Sequence, residues 1–284
     1  FKPRKALAIS LGGVKENDFT MVFGFPGRTT EYLPGEAVRQ IVELNDPAKI
    51  LIRQKSLEVM DKYMRADEGI KIQYASKYAG VANAWKKWQG EVLGLTKTNG
   101  VQKKQNYEEV FQKRVAAQDG LSKKYGNLLP ELNQLYQSIE PFALARDYFL
   151  ETTSKVELFI LINKVILLMN TQANRPETVY KKVLEEQLAS LPGLYKDLNP
   201  IVDQHLFAAM MQLYMENQKQ DFVAEEARTQ KNKYNGDYEK WAAAAYTNPI
   251  LLDKDKVISL LRENPNDLYK QIQQDETFRL LNSM

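Results

Sequence analysis

Asp46-Pro-Ala-Lys-Ile-Leu-Ile-Arg-Gln-Lys-Ser-Leu-Glu-Val-Met-Asp-Lys-Tyr-Met64 carries the pattern that decides the fold class. Ile50, Leu57, Met60 and Met64 recur at i, i+7, i+10 and i+14, one face of a helix. Asp46-Pro47 reads as the helix start, with a carboxylate to cap the first N–H groups and a proline in the first turn. Helical patterning then runs to the C-terminus. Lys71 to Trp88 carries Tyr74, Tyr78, Val81 and Trp85 on one stripe, and Gly90, Gly94 and Gly100 read as breaks after it. Asn106 with Glu109 fits a capping-box variant opening a helix toward Gly120. Further helices are expected around 130–150 and 152–170, and another from Pro176 to Pro192-Gly193. Asn199-Pro200, Asn248-Pro249 and Asn264-Pro265 mark helix boundaries, since a residue before proline avoids the α region. The segment 218–247, rich in charge, reads as an exposed helix with Ala242 to Ala245 on its inner face. No fixed-period repeat links these helices, which argues against a solenoid.

Upstream of Asp46 the texture changes. Ala6 to Ser10 and Phe19 to Phe25 read as strands, separated by a turn cluster at Glu16-Asn17-Asp18, and Ala37 to Leu44 as a possible third. Two or three strands do not make a stable sheet alone. The expected fold class is therefore mainly α: a short β segment over 1–45, then a multi-helix domain over 46–284.

Composition narrows the chemistry. The chain has 284 residues, 44% of them apolar, enough for a substantial core. With 39 basic against 36 acidic residues the net charge is +3, and the basic residues are scattered, which argues against a nucleic-acid surface. Without cysteine there is no thiol nucleophile, disulfide or cysteine zinc site. The single histidine, His205, excludes two-histidine metal motifs, and none of the nine serines has a lysine three residues on. No metal and no cofactor are expected. The most apolar run, Val156 to Met169, is interrupted by Asn163 and Lys164 and is shorter than the roughly 20 residues of a bilayer span, so it reads as a buried helix. The chain starts at Phe1 without a charged-then-apolar leader and reads as a piece of something longer.

Each candidate residue has a plain alternative. His205 falls beside Val202, Leu206 and Ala209 on a helix and reads as a half-buried structural histidine. Gly24-Phe-Pro-Gly27 lacks the lysine of a phosphate-binding loop and reads as a tight turn. Trp85 and Trp88 beside Lys86 and Lys87 suit an amphipathic helix better than base stacking. Asn83 has no propensity reason to sit in this helix, and by local pattern alone is an exposed polar position.

Four stretches add a resemblance. Asp18-Phe-Thr-Met-Val-Phe-Gly-Phe-Pro-Gly-Arg-Thr-Thr-Glu-Tyr-Leu33 resembles the signature of the bacterial serine dipeptidyl peptidases, the dipeptidyl peptidase VII and XI type. The likeness continues through Ile41 to Lys49, Met60 to Met64, Tyr78 to Lys86 and Trp88 to Leu95, and loosens beyond about residue 100. It implies two chymotrypsin-like β-barrels bearing a Ser-His-Asp triad, with a helical domain inserted between them. This chain would then hold the last strands of the first barrel (1–45) and the inserted cap (46–284). The triad lies outside the chain, so no catalytic residue is assigned within it, and Arg28 and Thr29 fall at the barrel rim. In such proteins the cap covers the cleft, and one of its asparagines binds the free amino terminus of the peptide. Asn83 matches it, whereas the family's second asparagine, just past the tryptophan, is Lys87 here. The implied partners are peptide substrates and the other barrel domains, with no nucleic acid and no membrane. The implied location is periplasmic, and a homodimer is one state open to the parent. The competing expectation is a non-catalytic helical module that binds a protein or peptide in a groove.

Overall fold

Apolar residues at helical spacing bury one stripe each, and here the stripes meet in two contiguous cores. The computed structural model describes residues 2, 4–5, 8–24, 27, 30–247 and 249–284. The chain divides into two compact units, Phe1–Leu33 and Pro34–Met284.

In the first unit the described residues form no strand. The turn at Glu16-Asn17-Asp18 is present. The Lys15 amide donates to Asp18 Oδ2 at 2.7 Å, and Asn17 takes a positive φ of 71°. Ile9, Leu11, Val14, Phe19, Met21, Val22 and Phe23 are exposed. The strands expected at 6–10 and 19–25 do not form over the described part of those stretches, because a lone apolar strand has no ladder to satisfy its N–H and C=O groups. Ala6, Phe25, Arg28 and Thr29 lie outside the described residues, as does Asn248 of the Asn248-Pro249 boundary.

The second unit is helical throughout. In order it comprises α1 (Gly35–Gln40), a π-helical turn (Ile41–Asn45), α2 (Asp46–Ala66), α3 (Glu68–Lys97), α4 (Gly100–Ala116), α5 (Asp119–Tyr125) and α6 (Leu128–Thr153). There follow α7 (Glu157–Asn174), α8 (Glu177–Asp197), α9 (Pro200–Asn217), α10 (Glu225–Lys233), α11 (Tyr238–Ala245), α12 (Lys254–Glu263), α13 (Pro265–Gln273) and α14 (Glu276–Ser283). The mainly α expectation holds. The unit starts at Pro34, ahead of the boundary expected at Asp46.

Several local expectations need correction. Ala37 to Leu44 is not a strand. Its apolar residues belong to α1 and the π turn, where Ala37 and Val38 are buried. Asp46-Pro47 is not a helix start, because the π turn carries the helix straight through it. The wider turn leaves room for a proline ring inside a long helix. Gly90 and Gly94 do not break α3, since packing along α2 outweighs the glycine cost of about 1 kcal/mol each. Asn106 lies inside α4, whose start follows Asn99 in the left-handed region (φ 52°). Pro192 lies inside α8 rather than ending it. Segment 218–247 holds a 3-10 turn (Gln220–Phe222) and two short α-helices whose buried residues include Ala227, Trp241 and Ala242, while Ala243 and Ala244 are exposed.

The main core is built on α7 and α9. Leu158, Phe159, Leu161, Ile162, Val165 and Leu168 line α7, so the apolar run is a buried helix as expected. No single helix among the described residues is long and apolar enough to cross a membrane. Phe207 sits at the centre, 5.2 Å from the Phe159 ring, 5.6 Å from Trp241 and 6.1 Å from Tyr246. The N-cap of α9 is as expected, with Asn199 Oδ1 accepting from the amides of Ile201 and Val202 at 3.1 and 3.2 Å. A second core joins α2, α3 and α9 through Leu57, Met60, Tyr74, Val202 and Leu206.

Candidate functional site

The longest helix, α3, presents the one candidate binding residue. Asn83 is exposed at its middle, and its amide makes no hydrogen bond to another described residue. The same exposed face is small on the N-terminal side, with Ala79 and Gly80 one turn before, while the exposed Lys86 and Lys87 stand one turn after and Gly90 two turns after. A Cβ at Gly80 or Gly90 would meet nothing within 4 Å. An extended chain can therefore approach the helix backbone beside an amide that offers both a carbonyl acceptor and N–H donors.

The opposite face of α3 is tied down. Trp85 packs in the second core. Trp88 is half-buried, with the Lys49 amine and the Arg53 guanidinium each 4.6 Å from its ring centroid. The tryptophans therefore serve helix packing and cation–π contact, while Lys86 and Lys87 point to solvent. Lys87 pairs with Glu91 along the helix. Arg53 forks onto Glu151 of α6, with Nε to Oε2 at 2.8 Å and Nη2 to Oε1 at 3.0 Å, and its Nη1 donates to the Val81 carbonyl at 3.4 Å. Burial alone would raise Glu151, but Arg53 and Lys155 hold its carboxyl below the usual range. Asp46 is buried and pairs with Lys49 at 2.9 Å, and burial raises its carboxyl despite that partner. Asp46, Lys49, Arg53 and Glu151 thus form a charged seam under the segment of α3 that bears Asn83. Asp46, Lys49 and Arg53 follow one face of α2 and read locally as an ordinary solvated helix face, and only the packing of α2 between α3 and α6 adds Glu151 and buries them.

His205 lies apart from Asn83. It is half-buried, stacks on Tyr63 at 5.4 Å and places Nδ1 3.0 Å from Glu239 Oε2. It lines an open groove of about 520 Å³ with Tyr63 and Tyr238, and no serine lines that groove. The half-burial is that expected from the sequence. Among the described residues no group of three or more His, Asp or Glu side chains is arranged to hold a metal ion.

The family model for peptidase S46 matches residues 1–284, the whole chain. The chain belongs to the peptidase S46 family. It is 41% identical over 283 residues to an Asp/Glu-specific dipeptidyl-peptidase of Flavobacterium psychrophilum, covering 99% of this chain and 39% of that protein. It is 30% identical over 288 residues to a dipeptidyl-peptidase 7 of Porphyromonas endodontalis, covering 100% of this chain and 34% of that protein. The S46 chain therefore spans between about a third and two fifths of these relatives. Among solved structures it is similar to DPP11 of Porphyromonas endodontalis, with a TM-score of 0.63 at 19% identity over 92% of this chain and 37% of that one. A complex of that protein with the dipeptide Arg-Glu gives a TM-score of 0.57. The likeness to these structures is one of fold.

Proposed function

We propose that this chain is the helical cap of a serine-type dipeptidyl aminopeptidase and that Asn83 holds the free amino terminus of the peptide substrate. The observation that carries the reading is the unengaged Asn83 amide, exposed on a helix anchored along its other face and preceded by the small residues Ala79 and Gly80, in a chain of the S46 family. An asparagine carbonyl accepts from an ammonium group without adding a charge to be neutralised. A fixed amine site one dipeptide from the scissile bond makes the enzyme an aminopeptidase rather than an endopeptidase. In this reading acyl transfer belongs to a Ser-His-Asp triad in barrel domains outside the chain. The first unit, Phe1–Leu33, is then barrel sequence whose exposed apolar residues pair with strands of those domains. The Asp/Glu-specific relative, at 41% identity the more similar of the two named, supports peptides with acidic side chains as the substrate class, and a periplasmic location is part of the same proposal.

In the full-length parent, Asn83→Ala is expected to raise KM and lower kcat/KM for dipeptidyl arylamides while leaving the melting temperature unchanged. Unaltered kinetics would remove Asn83 from the site. The 284-residue chain alone is expected to release no dipeptide, and turnover by the purified chain would refute the reading.

A further inference from the structure

The N-terminal half of α3 is fastened to the rest of the helical unit by polar bonds. Gln73 Nε2 donates to the carbonyls of Lys196 and Leu198, each at 3.1 Å. The Tyr74 hydroxyl donates to Glu157 Oε2 at 3.1 Å and accepts from the Asn199 amide at 3.3 Å. Lys77 Nζ bonds both Glu157 Oε1 and the Asp197 carbonyl. These three side chains share one face of α3, and they grip the link between α8 and α9 together with the first turn of α7.

Behind Glu157 lies Asp203, on α9 and fully buried. Its two carboxylate oxygens accept from the amides of Glu157 and Leu158 at 2.6 and 2.9 Å, and the Tyr246 hydroxyl also donates to it. Val156, the N-cap residue of α7, has no side chain that could serve, so Asp203 caps α7 from a neighbouring helix. The network thus joins α3, α7, α9 and the end of α11. A buried charged cluster of this kind adds little net stability over an apolar one of the same volume, but it fixes relative position through directional bonds.

Asn83 stands roughly 9 Å along the axis from Lys77, at about 1.5 Å per residue. Nearer to Asn83, Arg53 also holds α3 on both sides, at Val81 two residues before it and at Trp88 five residues after it. We infer that Gln73, Tyr74 and Lys77 on α3, with Glu157 and Asp203 behind them, are positioning residues that set where α3 presents Asn83 to the substrate amine. This rests on the amine-binding reading of Asn83. None of the five touches substrate in it.

The test is steady-state kinetics of the full-length parent on a dipeptidyl arylamide, with Gln73→Ala, Lys77→Met and Glu157→Gln each made alone and on Asn83→Ala. Each single variant is expected to raise KM about ten-fold, since misplacement by an ångström far from the chemistry suffices for effects of this size. The turnover number should stay within about two-fold, because the lost interaction serves binding. On Asn83→Ala the same changes should add nothing, and Lys77→Arg should restore KM. Unchanged KM in the folded single variants overturns the inference, and so do effects that multiply on Asn83→Ala, because the network would then act independently of it. Gln73→Ala removes only two half-exposed bonds and decides the matter should a variant of the buried pair not fold. If Asn83→Ala alone leaves KM unchanged, the amine-binding reading itself fails. A KM rise in network variants beside it would mean that the network serves another residue, which also overturns the inference.

Discussion

Replacing Glu157 by Gln tests the electrostatics of the helical unit at one atom. In the folded chain burial pushes the Glu157 carboxyl from its ordinary 4.5 up to about 7. The Asp203 carboxylate adds to that rise, while Lys77 and Tyr74 oppose it. Tyr246, which donates to Asp203, is itself raised by burial and by the same two carboxylates. A carboxyl raised on folding binds its proton more tightly in the native state than in the unfolded chain. Its contribution to stability is complete below about pH 4.5 and is lost as pH climbs through about 7. At about 1.4 kcal/mol per unit, that interval amounts to on the order of 3 kcal/mol. Glutamine keeps the shape but only one acceptor oxygen, so it keeps the bond from Lys77 or the one from Tyr74 and loses the other at every pH, and it does not titrate. The unfolding free energy of Glu157→Gln relative to wild type should therefore move in the variant's favour from about pH 4.5 to about 7 and level off above. Urea unfolding followed by circular dichroism at closely spaced pH values measures it, with m-values checked for two-state behaviour. The subtraction cancels Glu36 and Glu151, whose carboxyls are lowered by arginine partners against the opposing effect of burial and weaken both proteins in acid. A difference that stays flat across this range would refute the reasoning.

Phe207→Ala empties the meeting point of Phe159, Trp241 and Tyr246 and should cost about 3–5 kcal/mol in urea unfolding. A loss under about 1 kcal/mol would mean that this core is not closely packed. His205→Gln removes a contact with a largely exposed Glu239 and should change stability by less than about 1 kcal/mol. It should leave dipeptide release by the parent intact, and loss of activity would reopen His205 as a functional residue. Limited proteolysis of the 284-residue chain should cut within the exposed first unit and leave a helical fragment beginning near Pro34. Cleavage first within α2 or α3 would contradict the division into two units.

What could be read from the sequence follows the range of the interactions involved. The Asn199 cap and the Leu57, Met60 and Met64 part of the α2 stripe act within a turn or two and stand where their spacing puts them, whereas Ile50 joins neither core and Ile52 is buried instead. The breaks assigned to Gly90 and Pro192 failed because tertiary packing outweighs a local cost of the order of a few kcal/mol at most. The strand reading of Ala37 to Leu44 failed because a short apolar run suits a strand and a buried helix equally. Asn83 was visible only through the likeness of its surroundings to a family motif, since nothing in its own helix distinguishes it from a solvated polar position. Glu157 and Asp203 were out of reach altogether. Each looks like a surface carboxylate in its own helix, and only the packing of α7 on α9 makes them a buried pair.

The π turn at Ile41–Asn45 turns chain length into angle. Its last amide bond runs from Asp46 back to Ile41, one residue further than in an α-helix. Every α-helical residue turns the chain by about 100°. Removing one residue here would therefore rotate α1 about its axis by roughly that amount while shortening it by only about 1.5 Å. Three anchors would then face the wrong way: the Gly35 amide on Glu108, Arg39 on Glu140, and Gln40 on the Tyr136 carbonyl. For this helix a single deletion is a steering error, and an insertion elsewhere in α1 or α2 could not undo it without moving the apolar stripe that holds α3.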